Sequence, residues 1–388
     1  MGWIIKDLWQ DAGAHLKGIA TWVDTRRPGQ GSDFLADEYR AQTRRAVESI
    51  HPERMRLRVV EVADRTPTIR SFRLVREDGE LPPFRPGQYV NLWVDIDGVR
   101  THRPYSICSI PGDEHLELSV KDVPGGFVAP HLRRTLKVGD PLDSSGPGGN
   151  FVHEPLSDGL DLVLLAGGCG LTPFLSIVRQ ASRDGWPARI HLIHGCTTPE
   201  EAMEAEELVG LTDATDRFHY DRVYSAAPGA GRSGLLDARC IGELVGEVGG
   251  KTFFTCGPLP MIELCRSALG ELGVEEHRVR FELPGTPPDV TAVRGWPGGI
   301  EPTDSFELRV GERVVQATAG EPLLCTLERH GLLIPGRCRS GECAACRTQL
   351  ASGQVYELPT AHVRESDRHY GYIHPCASYP ISDLELRW

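Results

Sequence analysis

Cys338-Arg339-Ser340-Gly341-Glu342-Cys343-Ala344-Ala345-Cys346, joined by Cys376 after a further 29 residues, is the stretch from which the rest of the chain can be read. Cys-x4-Cys-x2-Cys with a distant fourth cysteine is the spacing of plant-type 2Fe-2S ligation. Two irons bridged by two sulfides need four thiolates converging from one tight loop and one remote strand. Ser340, Gly341, Ala344 and Ala345 are small enough to let backbone N–H groups approach the sulfurs, and such hydrogen bonds tune the potential. The competing reading is a zinc site, but a zinc ribbon calls for a second paired-cysteine motif and Cys376 stands alone. Cys325, on the helical stretch 322–330, reads as a small core residue.

The chain around this loop is ordinary globular material. Of its 388 residues 40% are hydrophobic and 25% charged, enough for several cores, and the length predicts two or three units. A formal net charge of -12 and the absence of a dominant Lys/Arg cluster argue against a nucleic-acid binder. Neither an apolar run of membrane-spanning length nor a secretory leader is readable, which predicts a cytoplasmic protein. Eleven cysteines in such a compartment stay reduced, so the clustered four read as metal binding or redox work before disulfides.

Moving toward the N-terminus, residues 284–303 are rich in Pro and Gly without periodicity and read as a linker, leaving 304–388 as the cluster-bearing module. Residues 156–283 alternate short buried strands (162–166, 189–194, 252–255) with helical stretches, which predicts a parallel α/β sheet. Residues 55–155 show period-two apolar alternation broken by Pro and Gly turns, the pattern of an antiparallel barrel. Residues 1–54 read as two helices around Pro28-Gly29-Gln30-Gly31. Trp3, Trp9 and Trp22 lie on or near the apolar face, which suits either packing on the barrel or docking to a membrane surface or partner.

Two further constellations carry chemistry. Gly167-Gly168-Cys169-Gly170-Leu171-Thr172-Pro173 sits between a buried strand and a helix, where a doubly wound sheet binds a phosphate-bearing ligand; it lacks the spaced glycines of the dinucleotide fingerprint. Its glycines admit close backbone approach, and Pro173 fits a first helical turn. Cys256-Gly257-Pro258 puts a thiol at the carboxyl end of a strand of the same sheet, where its ligands collect, with a reduced core cysteine as the competing reading. Arg103-Pro104-Tyr105-Ser106 ends a barrel strand and offers a cation for a phosphate, a ring for an isoalloxazine face and a hydroxyl near flavin N5. Tyr105 alone could equally be a sheet aromatic. The second barrel segment, Lys121-Asp122-Val123-Pro124-Gly125-Gly126-Phe127-Val128-Ala129, opens a helix at about 130–136 and reads as a pyrophosphate cradle.

Taken in chain order, Arg103 to Ser106, the Gly125-Gly126 segment, Gly167 to Pro173, Cys256 to Pro258 and the four cysteines resemble the ferredoxin-NADP reductase superfamily fused to a C-terminal plant-type ferredoxin, over about 55–388. The resemblance implies a multidomain fold: an antiparallel β-barrel flavin domain, an α/β parallel-sheet nucleotide domain and an α+β β-grasp ferredoxin domain. It implies that Arg103 and Tyr105 hold the flavin, Ser106 sits near N5, Gly126 meets the flavin pyrophosphate and Cys256 lies near the nicotinamide. Ala129 stands where relatives usually have Ser or Thr, so one phosphate hydrogen bond is missing; FAD is still favoured over FMN. Relatives that use NADPH often carry a Ser-Arg pair after a later strand, whereas Tyr224-Ser225-Ala226-Ala227-Pro228 has no arginine, which favours NADH; Arg232 is the alternative partner for a 2'-phosphate.

The expected activity is NAD(P)H-dependent electron transfer, hydride to flavin and then single electrons through the 2Fe-2S cluster. By resemblance the acceptor is a terminal oxygenase: a Rieske hydroxylase or demethylase, a di-iron desaturase or hydroxylase, or a P450. A corrinoid or reductive enzyme as acceptor, and a redox sensor in which the cluster reports rather than transfers, are the alternatives.

Overall fold

The computed structural model describes residues 47–48, 52–123, 125–283 and 285–387. The helices expected within 1–54, and any docking role for them, lie outside the described residues apart from helical backbone at Val47 and Glu48. From Glu53 onward the chain forms one compact unit, and no described helix is long and apolar enough to cross a membrane.

The first layer is a six-stranded antiparallel sheet of β1 (Met55–Asp64), β2 (Ile69–Arg76), β3 (Tyr89–Ile96), β4 (Val99–Ser106), β5 (Leu116–Lys121) and β6 (Pro141–Ser144), ordered β4-β3-β6-β1-β2-β5. Period two is visible in β1, where Met55, Leu57 and Val59 point inward and Arg56 and Arg58 outward. A register shift between Val59 and Glu61 bends the strand. The sheet curls until its two edges meet through the Ile107–Leu118 bridge, closing a barrel around Leu57, Phe72, Leu92 and Leu118. The expected helix of the second barrel segment is the seven-residue α1 (Ala129–Thr135), plugged into that core by Leu132.

After a single turn of helix, α2 (Pro155–Asp158), a wholly parallel sheet follows: β7 (Asp161–Gly167), β8 (Arg189–Cys196), β9 (Phe218–Tyr224), β10 (Arg232–Ser233), β11 (Thr252–Cys256) and β12 (Val279–Glu282), ordered β10-β9-β8-β7-β11-β12. Helices α3 (Thr172–Arg183) and α4 (Ala205–Ala214) cover one face, and α5 (Ala238–Val245) and α6 (Leu259–Glu271) the other. Strand order reverses beside β7, so the ligand crevice of such a sheet opens where β7 and β11 end, at Gly167 and Cys256.

The last module pairs β13 (Ser305–Val310), β14 (Arg313–Thr318), β15 (Thr348–Ser352), β17 (Tyr372–Ile373) and β19 (Leu384–Arg387) in one mixed sheet, ordered β14-β13-β19-β15-β17. Helix α7 (Leu323–Arg329) lies across it with Leu323 and Leu327 buried against Leu308, Ala317 and Leu386. A ribbon of β16 (Val355–Glu357) and β18 (Ser378–Pro380) and the short α8 (Glu365–His369) complete the module.

The Pro/Gly-rich 285–303 has no strand or helix, as expected of a linker, yet it is not a loose spacer. Val290 and Val293 are buried in a cluster that joins Leu259 and Ile262 of α6 to Tyr356, Tyr379 and the ligand candidates Cys346 and Cys376. Trp296 packs edge-on against Tyr356, and the Tyr356 hydroxyl donates to the Arg294 carbonyl at 2.9 Å. Glycine and proline remove periodicity without removing apolar side chains, and three of those suffice to seat the strap.

Candidate active site where three modules meet

Three of the four clustered thiols, Cys338, Cys346 and Cys376, are buried, and Cys343 is exposed. The backbone reaches them by left-handed residues at Arg339, Gly341 and Ala344, which curl the loop so that its amides face inward. The amides of Ser340 and Cys343 donate to the Cys338 sulfur at 3.5 and 3.4 Å, and that of Cys338 to the Cys343 sulfur at 3.5 Å. Gly341 is obligatory: its φ is +86°, and a Cβ there would lie 2.9 Å from Ala361 Cα. Buried His374 donates from Nδ1 to the Gly341 carbonyl at 2.7 Å and pins the loop from below.

The sulfurs fit two metals better than one. Cys338 faces Cys343 and Cys376, and Cys346 faces Cys376. Hydrogen bonds from Cys343 and Cys376 hold the Cys338 thiol far below the usual range, and the one from Cys338 pushes Cys376 well up. A single zinc would need four sulfurs mutually about 3.8 Å apart. Among the described residues, the one set of three such groups with all ligand atoms within 4.8 Å is elsewhere, at His191, His219 and Asp221. The donor set therefore suits a 2Fe-2S cluster.

On the barrel side, Arg103, Pro104, Tyr105 and Ser106 end β4 opposite Leu92, Asn91, Val90 and Tyr89 of β3. The Arg103 guanidinium donates to Thr101 Oγ1 and the His102 carbonyl, both at 2.8 Å. Among the described residues no carboxylate pairs with it. Burial, then the charge of Arg339, lowers its pKa. A buried cation without an anion is the partner a phosphate requires. Burial pushes the Tyr105 phenol up, so it stays protonated. Gly125 takes φ +75° with open space around it, Phe127 is exposed, and Val128 is a core side chain that can offer a ligand only its backbone.

On the nucleotide side two of the glycines are required by packing. A Cβ on Gly170 would sit 2.1 Å from the Cys256 carbonyl oxygen, and one on Gly167 would sit 2.3 Å from Met261 Sδ and 2.9 Å from Pro258. Both therefore serve the packing of this turn onto Cys256-Gly257-Pro258, with Gly257 facing Gly167. Only Gly168, at φ +51°, faces outward, with Lys121 Nζ 3.4 Å from where its Cβ would be. Thr172 caps the turn by donating to the Cys169 carbonyl at 3.0 Å, and Pro173 is buried at the start of α3. Burial pushes the Cys256 thiol well up, so it is a neutral thiol beside its strand neighbour Glu282.

The three sites form one assembly. Ser176 donates to the Ser109 carbonyl at 2.7 Å and Arg179 to that of Cys108 at 2.9 Å, tying α3 to the barrel. The cluster loop sits on β3 and β4: a Cβ at Gly336 would be 3.3 Å from His102 Nε2, and Thr101 donates to Glu328 of α7 at 2.9 Å. Glu328 in turn pairs with Arg339, next to the ligand candidate Cys338, at 2.7 and 2.9 Å, both side chains being buried.

Four residues at this meeting point escape sequence reading. The Tyr89 hydroxyl is raised first by burial and then by Cys338, Cys343 and Glu282, which places it within electrostatic reach of the other two modules. Glu342, inside the cysteine loop, is pushed up to about 7, chiefly by burial, and Glu282 also rises well above its ordinary value. His194 donates from Nε2 to the Gly168 carbonyl at 2.9 Å, holding the nucleotide turn. A polar residue ending a strand beside a known motif was the available signal for Glu282.

Residues 56–153 match the oxidoreductase FAD-binding domain family, 164–267 the oxidoreductase NAD-binding domain family and 307–380 the 2Fe-2S iron-sulfur cluster binding domain family. The ferredoxin reductase component of 3-ketosteroid-9-alpha-monooxygenase from Mycobacterium tuberculosis is 30% identical over 345 residues, 85% of this chain and 94% of that protein. The glycine betaine monooxygenase reductase subunit of Pseudomonas aeruginosa is 29% identical over 348 residues, with the same coverage of each. The fold of phthalate dioxygenase reductase superposes with a TM-score of 0.65 over 86% of this chain and 98% of that one, at 23% identity. The chain belongs to the ferredoxin-NADP reductase superfamily, among the FAD- and NAD-binding oxidoreductases that carry a C-terminal 2Fe-2S ferredoxin domain.

Proposed function

We propose that this chain is the reductase component of an oxygenase system, taking electrons from NADH and delivering them singly to a separate terminal oxygenase. The observation that carries the reading is that the barrel is tied directly to both other modules, to the nucleotide sheet's α3 through Ser176–Ser109 and Arg179–Cys108 and to α7 of the ferredoxin module through Thr101–Glu328. When bound, the flavin accepts two electrons as a hydride and the cluster carries one electron at a time. Arg103 holds the flavin phosphate, Tyr105 covers the ring and Ser106 presents its hydroxyl to N5. The backbone of Gly125, Gly126, Phe127 and Val128 meets the pyrophosphate. Lys121, Gly168 and Thr172 border the nicotinamide nucleotide, Cys256 lines its ring pocket as a neutral thiol, and Cys338, Cys343, Cys346 and Cys376 hold the irons. The working divisions are 1–54, 55–155, 156–283, 284–303 and 304–388.

NADH is favoured over NADPH because the arginines near the ends of β9 and β10 are engaged. Arg232 pairs with Glu243 at 2.9 Å, and the Arg222 guanidinium lies 5.9 Å over the Tyr220 ring. The relatives' partners support an oxygenase acceptor. Stopped-flow mixing of the holoprotein with NADH and with NADPH, followed by addition of a purified candidate oxygenase, tests it. Rapid bleaching by NADH and onward reduction of the oxygenase is the expected result; a reduced holoprotein that passes no electrons to any oxygenase would sink the reading.

A further inference from the structure

Away from the crevice, a second set of metal-ligating side chains converges on the nucleotide sheet. His191 of β8 and His219 of β9 are register partners in a parallel pair, and Asp221 lies two residues beyond His219. Side chains of one strand alternate between faces with period two, so all three project from the same face. His191 is level with Val163 of β7, four residues before Gly167, which separates the group from the nucleotide turn by about 13 Å along the strand. Strand backbones, rather than a loop, fix their spacing.

The geometry is close to that of an occupied site. Nε2 of His191 lies 2.8 Å and Nε2 of His219 3.2 Å from the same oxygen, Asp221 Oδ2. The two rings meet at 68° with centroids 4.9 Å apart, and all three ligand atoms lie within 4.8 Å of one another. A zinc-sized ion at about 2.0–2.2 Å from each atom would need them roughly 3.4 Å apart in a tetrahedron. The two nitrogen–oxygen separations would have to open from 2.8 and 3.2 Å, by about 0.6 and 0.2 Å, to seat it. The His191 hydrogen bond holds the Asp221 carboxyl below its usual range, so it is an anion at neutral pH. The nearby cation, Arg232, is paired with Glu243. His219 is 61% exposed, leaving room for a water as fourth ligand.

We propose that His191, His219 and Asp221 bind a divalent transition-metal ion of the zinc type on the face of the nucleotide sheet, separate from the cysteine loop. Two imidazoles exclude magnesium and calcium, which select oxygen ligands, and the absence of sulfur separates the site from a structural zinc knuckle. An ion there cross-links β8 to β9, the strands whose far ends border the nucleotide crevice.

The test uses holoprotein with flavin and cluster loaded, freed of loose metal by chelator and desalting, and titrated with zinc chloride by calorimetry. One equivalent should bind with micromolar or tighter affinity while the visible spectrum of the cluster stays unchanged. His219→Ala and Asp221→Asn should each weaken binding by at least about 100-fold, the upper end of what even supporting shells contribute. Both variants should keep NADH-driven flavin reduction, which reports that they fold. Magnesium chloride should give no saturable heat. The proposal fails if intact holoprotein takes up no zinc. It fails equally if wild type and both variants bind alike, if zinc uptake tracks bleaching of the cluster, or if magnesium binds as tightly as zinc.

Discussion

Residues 338–346 and residues 167–173 are both short stretches rich in small residues, and those residues serve opposite ends. In the cysteine loop, left-handed Arg339, Gly341 and Ala344 turn amides toward sulfur, so the small residues serve a ligand. In the nucleotide turn, Gly167 and Gly170 serve the protein's own backbone, which passes against the turn that follows β11. Their anchors differ too. A buried ion pair, Glu328 with Arg339, fixes the first, and a neutral imidazole, His194, fixes the second. Ligand-serving loops are constrained by what they must hold; packing turns are constrained by what they must not touch.

The largest effect should fall on the first loop. Cys376→Ser or Cys343→Ser should abolish iron and sulfide content and the visible bands of the cluster while flavin reduction by NADH survives; a variant that keeps full iron content would show the ligand set to be wrong. Glu328→Ala leaves Arg339 as an unpaired buried charge and should cost about 3–5 kcal/mol in chemical denaturation. Thr101→Val removes the interdomain hydrogen bond to Glu328 and the one that Thr101 accepts from Arg103, and should cost about 2 kcal/mol. Equal costs would mean that the ion pair adds nothing beyond the bridge.

On the second loop, Gly170→Ala forces a methyl into the Cys256 carbonyl and should destabilise by about 3 kcal/mol or more. Gly168→Ala meets only the flexible end of Lys121, 3.4 Å away, at a left-handed φ and should cost only about 1 kcal/mol. Reversal of that order would return the glycines to a purely ligand-binding role. His194 is fully buried, and burial lowers its pKa to about 4 from 6.5. Below pH 6.5 the unfolded chain takes up a proton that the folded imidazole refuses, so stability is full above 6.5 and falls until about pH 4. The loss should reach about 3 kcal/mol. In His194→Gln that slope should flatten when urea midpoints are compared across the window. The smallest effect is expected at Arg232→Ala, where the NADH to NADPH preference should move by less than about twofold, since the side chain is occupied by an exposed pair.

The same contrast explains what the sequence discloses. Four cysteines at fixed spacing state their chemistry without any knowledge of neighbours. Met55, Leu57 and Val59 likewise state a period of two. The purpose of Gly167 and Gly170 depends on a backbone nearly 90 residues away, which no local pattern records. Strands β9 and β12 were missed because a parallel strand is sought as an apolar run. Phe218-His219-Tyr220-Asp221-Arg222 and Val279-Arg280-Phe281-Glu282 alternate instead, lying toward the rims of the sheet where one face is partly wet. Glu282 and Glu342 were illegible for a related reason: a carboxylate in sequence reads as a surface charge until the fold buries it.

The seated strap at 285–303 has a kinetic corollary. A ferredoxin on a slack tether would have to diffuse between its donor and its acceptor, and its internal electron step would slow as the solvent thickened. Here Val290, Val293 and Trp296 fasten that module to α6 beside Cys346 and Cys376, two of the four proposed iron ligands. Transfer from flavin to cluster should then proceed at the same rate in glycerol as in water, leaving viscosity to govern only the collision with the next protein.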